Sequence, residues 1–220
     1  MEMTTKERIL AAASRAFAER GFRETTIATI CREAEANIAA VNYYFGSKEK
    51  LYEAVWEYAD ASAKDIYGFE EPEDNPEEWI LHHIRNIVLM IFDEGPGGLL
   101  PRLIRRDIDA AMENELINKM RVRFLEPRRQ QLESAVGSIL NRDPSNFAVR
   151  CVVSHIHAMC IFLNIKIKFR RHIFGAETPA GQEVEFLIRS MQTFVEGGIE
   201  QVRSTLKSGE LTEITLAGNK

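Results

Sequence analysis

Apolar residues recur at helical spacing along almost the whole chain. Over residues 5–20, Ile9, Leu10, Ala13, Phe17 and Ala18 share one face, and Thr4 or Thr5 stands where an N-cap is needed. Gly21 suits a left-handed helix stop, with Phe22 behind it to fold back as the apolar contact. Thr25-Thr26 opens a short helix over 27–34, and Glu35-Ala36-Asn37 breaks it. A third short helix covers about 38–44 and stops at Gly46. Ser47 caps a long fourth helix reaching about residue 66. Residues 68–78 are acidic and twice broken by proline, the pattern of a solvated linker. An amphipathic helix follows over 79–92, a glycine-rich break at 95–98, and then helices over about 100–111, 115–140, 144–174 and 179–207, with Pro127 bending or dividing the second of these. Neither an internal repeat nor an alternating run long enough for a sheet is present. The expected class is all-α, with about nine helices.

Composition narrows the class further. The chain has 220 residues, 45% hydrophobic and 28% charged, which is ordinary for a globular protein. The N-terminus lacks the apolar core of a signal peptide, and the apolar stretches stop well short of the roughly 20 residues of a membrane span. Three unclustered cysteines, Cys31, Cys151 and Cys160, support neither a disulfide framework nor a zinc site. A cytoplasmic protein with no membrane partner and no cofactor is expected. The net charge of −5 would argue against a nucleic-acid partner, but it is uneven. Residues 1–50 carry eight Lys/Arg and seven acids, so the excess of acid lies entirely in the remainder.

Two short helices joined by a tight turn, with another behind them, have the geometry of a helix-turn-helix. Ile27, Ile30, Cys31 and Ala34 suit the inner face of the first, and Val41, Tyr44 and Phe45 that of the second. This leaves Asn37, Ile38, Ala39, Asn42 and Tyr43 directed toward a groove. Asn42 can pair with adenine edges, and the Ile and Ala groups can meet thymine methyls. Thr25, Thr26, Tyr43 and Lys48 are of the types that bind phosphates.

Residues 6–52, in particular Thr25-Thr26-Ile27 and the string Val41-Asn42-Tyr43-Tyr44-Phe45-Gly46-Ser47-Lys48-Glu49-Lys50-Leu51, resemble the N-terminal domain of TetR-family transcriptional regulators. The resemblance implies a homodimeric repressor on a palindromic DNA operator, with a larger domain that binds a small-molecule inducer. It places 37–43 in the recognition helix, Tyr43 and Lys48 at phosphate clamps, Thr26 at a phosphate-contacting helix start, and Ala28 where some members read a base. Asn42 stands where many members have Tyr, and Glu35 where the turn usually has Gly, so the operator cannot be inferred by analogy. Residues 37–49, with Leu103-Ile104-Arg105-Arg106-Asp107, are similar more narrowly to the CecR (YbiH) subgroup, which implies control of efflux or drug-tolerance genes. The domains expected are 1–50 (helix-turn-helix about 27–46), a connecting helix 51–68, and a ligand-binding and dimerisation domain 69–220.

Met90, Phe92, Met120, Phe124, Met159 and Phe162 suit either core or the lining of an adaptable apolar cavity. His155 could line such a cavity, and Arg105 turned inward would favour an anionic inducer. The last two helices suit a dimer interface, with Phe186, Met191, Phe194, Val195, Ile199 and Val202 on one broad apolar face. Gly197-Gly198 marks either a close helix crossing at Gly198 or a helix end. His82-His83 and His155-x-His157 have the wrong helical spacing for chelation, so no metal site is expected. No phosphate loop, nucleophile elbow or zinc-protease motif supports catalytic residues or an enzyme. The alternative is a helical adaptor or binding protein without specific DNA readout.

Overall fold

The computed structural model describes residues 3–68, 75–107, 114–164, 172, 175 and 181–210. Among them are nine α-helices and no strand: α1 (Thr5–Glu24), α2 (Ile27–Glu33), α3 (Ile38–Phe45), α4 (Lys48–Tyr67), α5 (Pro76–Phe92), α6 (Leu99–Asp107), α7 (Glu115–Leu140), α8 (Phe147–Leu163) and α9 (Gln182–Ser208), with a short 3-10 turn, Pro96–Gly98, ahead of α6. The all-α reading holds. The expected stretches 108–111 and 165–171 lie outside the described residues.

The chain forms two compact units, Met1–Gly68 with Asp93–Leu125, and Phe69–Phe92 with Glu126–Lys220. The first is built around one face of α1, where Ile9, Ala12, Ala13, Ala16 and Phe17 are completely buried. Three alanines on that face let α2, α3, α4 and α6 all approach the same helix. Leu51, Tyr52, Val55 and Trp56 from α4, Leu100 and Leu103 from α6, and Ile117 and Met120 from α7 complete this core. Each large apolar side chain so buried contributes roughly 1.5–3 kcal/mol. Residues 93–125, expected in the C-terminal domain, group with this N-terminal unit, the head, in which α6 packs against α1 and α4 and the turn before it against α4.

Local chemistry explains where the helices begin and end. Thr4, rather than Thr5, caps α1 in a reciprocal capping box with Glu7, whose carboxylate accepts the Thr4 N–H at 2.7 Å. α1 kinks at Gly21, with φ +78, and resumes for one turn to Glu24 instead of ending at Arg20. Thr26, Asn37, Ser47 and Asn146 cap α2, α3, α4 and α8 through side-chain oxygens. The turn between α2 and α3 is a Schellman stop: the Ala36 N–H reaches the Cys31 carbonyl at 3.0 Å and the Glu35 N–H that of Arg32 at 3.4 Å. This geometry forces Glu35 to φ +49, a conformation unfavourable for a residue with a Cβ. α7 runs unbroken through Pro127, and α9 continues past Gly197-Gly198 to Ser208. That excludes the helix-end reading of the glycine pair.

The second unit packs Ile80, Ile84 and Val88 of α5, Leu132 and Val136 of α7, Val149, Val153 and Ile156 of α8, and Ile188 of α9 into one core. Met191, Val195 and Ile199, expected at a dimer interface, are buried in this core, and Val202 is partly buried against it. A bidentate Arg85–Glu185 pair, at 2.9 and 2.7 Å, and a Gln192 side-chain bond to the Leu81 carbonyl tie α5 to α9. His83 lies inside this unit, stacked on Trp79 with ring centroids 4.8 Å apart. Burial, reinforced by His157 and Arg128, lowers its pKa from 6.5 to about 3. Cys31 and Cys160 are buried, and burial raises both thiols, Cys160 to about 12, so neither is poised for oxidation.

Two outcomes are expected. Glu35→Gly relieves the positive-φ strain and stabilises the protein by about 1 kcal/mol in denaturant titration, the reverse of the usual effect of glycine. His83 has a depressed folded-state pKa, so below pH 6.5 the unfolded chain takes up a proton that the folded chain refuses. Stability is then lost as pH falls from 6.5 toward about 3, by at most about 1.4 kcal/mol per pH unit from this group. His83→Asn should flatten that slope when denaturation is followed from pH 7.5 to 5.

Candidate nucleic-acid interface

The candidate interface is the outward side of α2, α3 and the first turn of α4. α3 is only eight residues long and too short to be stable alone, so caps and packing hold it. The Asn37 side chain accepts the Ala40 N–H at 2.8 Å at its start, and Gly46, at φ +81, turns the chain at its end. Val41 is its one fully buried side chain, pinned against the head core. With that residue inward, Ile38, Ala39, Asn42 and Tyr43 point outward. Ile38 is 55% exposed and Tyr43 83%. Tyr44, expected on the inner face with Phe45, is instead exposed, with its ring edge-on to Tyr43 at 5.0 Å.

The phosphate-type residues divide. Thr26 is exposed at the start of α2, where its hydroxyl receives the Thr29 N–H at 3.1 Å and lies 3.0 Å from the Thr29 hydroxyl. Ala28 is exposed on the same helix. Lys48 opens α4, half-buried, with its ammonium 4.4 Å above the Phe22 ring. Partial desolvation lowers its pKa, opposed by neighbouring Glu49. Thr25 is the correction: it is fully buried, and its hydroxyl is shared between the Ala16 carbonyl at 3.1 Å and the Gly21 carbonyl at 2.8 Å. It closes the kinked end of α1 and offers no hydroxyl to phosphate.

Behind this surface lie contacts that residue type and spacing did not reveal. Asp107, at the end of α6, accepts the Tyr52 hydroxyl at 2.5 Å and the Phe22 N–H at 3.3 Å. Its carboxyl is raised by burial, against the pull of those hydrogen bonds, and the Tyr52 hydroxyl is raised as well. Gly21 has no Cβ to intrude: one placed there would lie 2.8 Å from the Asp107 carboxylate. Arg8 donates to the Ala34 carbonyl at 3.1 Å, and Arg20 pairs with Glu33 at 3.2 Å, so both hold α2 onto α1. Only the apolar role of Phe22 was visible beforehand.

The ligand-lining candidates are divided between the two units. In the first unit Met120 is fully buried, Phe124 stacks on Trp56 at 5.9 Å, and Arg105 is half-buried. In the second, Met90 is buried and Phe92 packs on the core. His155 and Met159 line a groove of about 140 Å³ between α8 and α9 with Val152, Phe194, Gly198 and Val202. Phe162 is exposed on the same helix. Two residues expected to line a ligand cavity thus share a groove with residues expected at a dimer face. Phe186 and Phe194 are 76% and 74% exposed, and a Cβ on Gly197 or Gly198 would meet nothing within 4 Å.

This arrangement defines a helix-turn-helix protein. Residues 9–55 match the family model of bacterial regulatory proteins, tetR family. The chain is 26% identical over 166 residues, 70% of its own length and 71% of the relative's, to the transcriptional dual regulator CecR of Shigella flexneri. It is 43% identical over 58 residues, 26% of this chain and 27% of the relative, to the transcriptional repressor NicS of Pseudomonas putida. In fold it is similar to a TetR-like regulator of Rhodococcus sp. RHA1, with a TM-score of 0.60 and 17% identity, covering 91% of this chain and 98% of that one. The match covers the helix-turn-helix segment, and the relatives that the chain resembles are transcription regulators. Among the described residues no helix is long and apolar enough to cross a membrane.

Thr25→Val keeps the shape of the side chain and removes its hydroxyl. It should destabilise the protein by about 1–3 kcal/mol in denaturant titration, because two buried carbonyls lose their donor. An unchanged midpoint would return Thr25 to the list of phosphate ligands.

Proposed function

We propose that the protein is a homodimeric transcriptional repressor of the cytoplasm that reads a palindromic operator through α3 and is released from it by a small-molecule inducer. The observation that carries this reading is the outward face of α3. Ile38, Ala39, Asn42 and Tyr43 stand together in solvent on a helix whose opposite side is anchored by Val41. An isoleucine and a tyrosine on one short exposed face are costly to leave wet, and a major groove supplies thymine methyls, adenine edges and phosphates for that set. Asn42 is the base reader, Ile38 and Ala39 contact methyls, and Thr26, Tyr43 and Lys48 hold the backbone, with Ala28 and Asn37 at the margins.

The second copy packs on the exposed face of α9, where Phe186 and Phe194 line an open surface with Gly198, and Ile161 is exposed on α8. Two heads would then address half-sites about one helical turn apart. The inducer shifts the population toward a state with the wrong head spacing. Arg105, half-buried and partly desolvated, favours an anionic inducer. The similarity to CecR supports membership of its subgroup and control of efflux or drug-tolerance genes.

The test is protection mapping on genomic fragments at physiological salt, beside an Asn42→Ala/Tyr43→Ala double variant. A protected palindrome that disappears in the variant is expected. Lys48→Ala should weaken binding to all sequences and lower the slope of log affinity against log salt by about one. Protection indifferent to the α3 changes would overturn the reading and favour a helical adaptor.

A further inference from the structure

We propose that Asp107 is a positioning residue of the DNA interface: by holding the Phe22 backbone and the Tyr52 hydroxyl, it sets the ring on which the Lys48 ammonium rests, and so where that ammonium meets phosphate. The proposal rests on the operator-reading role given to Lys48 above.

Three elements meet at this carboxylate. Its Oδ1 accepts the Phe22 N–H at 3.3 Å, just beyond the α1 kink. Its Oδ2 accepts the Tyr52 hydroxyl at 2.5 Å, one turn into α4. Asp107 itself ends α6, 55 positions from Tyr52 and 85 from Phe22. The Phe22 ring, fixed by its own backbone, lies 6.2 Å from Phe17 and 4.9 Å from Tyr52, and the Lys48 ammonium rests on it at 4.4 Å. A continuous set of contacts therefore leads from a buried acid to a cation at the surface. A neighbouring pair, Arg106 with Glu24 at 3.2 Å, fastens α6 to the same end of α1. Burying a carboxylate is expensive even when it is hydrogen-bonded, and a well-packed apolar residue would serve the core as well. A carboxylate does what an apolar residue cannot: it accepts from two donors at once and fixes the angle between them.

The role has a signature with an unusual sign. Asp107 carries negative charge close to a surface that must approach phosphates, so neutralising it should by long-range electrostatics tighten DNA binding. If instead it positions Lys48, neutralising it weakens binding. Asp107→Asn presents an amide N–H where one of two donors needs an acceptor, so the tie loosens without a change of size.

Affinity for the protected operator fragment, its salt slope and thermal stability should be measured for the wild type, Asp107→Asn, Tyr52→Phe and Lys48→Ala. The Asp107→Asn/Lys48→Ala double variant completes the set. Asp107→Asn should bind about tenfold more weakly at temperatures where it is folded. It should also lose about one from the salt slope, as Lys48→Ala does. The double variant should bind more tightly than the product of the two separate losses implies, because both changes remove one contact. Tyr52→Phe breaks the tie from the other end with the charge of Asp107 intact, and it should move affinity and slope the same way. It decides the question if Asp107→Asn does not fold. Unchanged or tighter binding with the wild-type slope in the folded variants, or losses that multiply with that of Lys48→Ala, overturns the proposal while the operator-reading role stands. A wild type without sequence-specific binding overturns both.

Discussion

The alanine-rich face of α1 is the constraint on which the head depends. Ala12, Ala13 and Ala16 are completely buried, and their small size lets four other helices pack against a single 20-residue helix. A larger residue at any of them would push α2, α3, α4 or α6 outward, and interiors at crystal-like density have no slack to absorb that. Everything at the candidate interface is positioned at second hand by this packing. α2 and α3 are too short to be stable by themselves, so their direction is inherited from α1.

Two kinds of polar group finish what the packing begins. Caps decide where the short helices start: Thr26 and Asn37 take up backbone N–H groups that would otherwise be orphaned at the very ends that face the candidate DNA site. Buried acceptors and donors decide how the helices are angled. Thr25 closes the kinked end of α1, and Asp107 binds that same end to α4. The first 68 residues group with residues 93–125 in one compact unit. It is completed by α6, whose apolar side and terminal carboxylate are both committed to it.

The second unit illustrates a limit of apolar patterning. α9 carries a broad apolar stripe, and from periodicity alone the whole stripe reads as one surface. In the fold it divides: Met191, Val195 and Ile199 turn into the unit's own core, while Phe186 and Phe194 remain outside. Phe194 stands one residue from Val195 and five from Ile199, about 100–140° round the helix, which is enough to belong to a different interface, and hydrophobicity does not distinguish them. The histidines are a parallel case. His83 looks no different in sequence from its neighbour His82, yet one is stacked inside on Trp79 and the other is solvent-exposed.

By itself the sequence determined what depends on neighbours along the chain: the all-α class, helix starts at Thr4 or Thr5, Thr25-Thr26 and Ser47, the stop at Gly46, and the outward set on α3 that follows once Val41 faces in. The resemblance to tetR-family regulators was legible too, because Thr25-Thr26-Ile27 and the string from Val41 to Leu51 are each continuous in the chain. Only the tertiary structure decided what depends on residues far apart in the chain. Thr25 resembles Thr26 until Ala16 and Gly21 are seen to enclose it. Asp107 is one acid among many until Phe22, Tyr52 and the bare α-carbon of Gly21 converge on it. Hydrogen bonds of this kind leave no periodic trace, since their donors and acceptors are common residue types and their spacing is set by how whole helices pack.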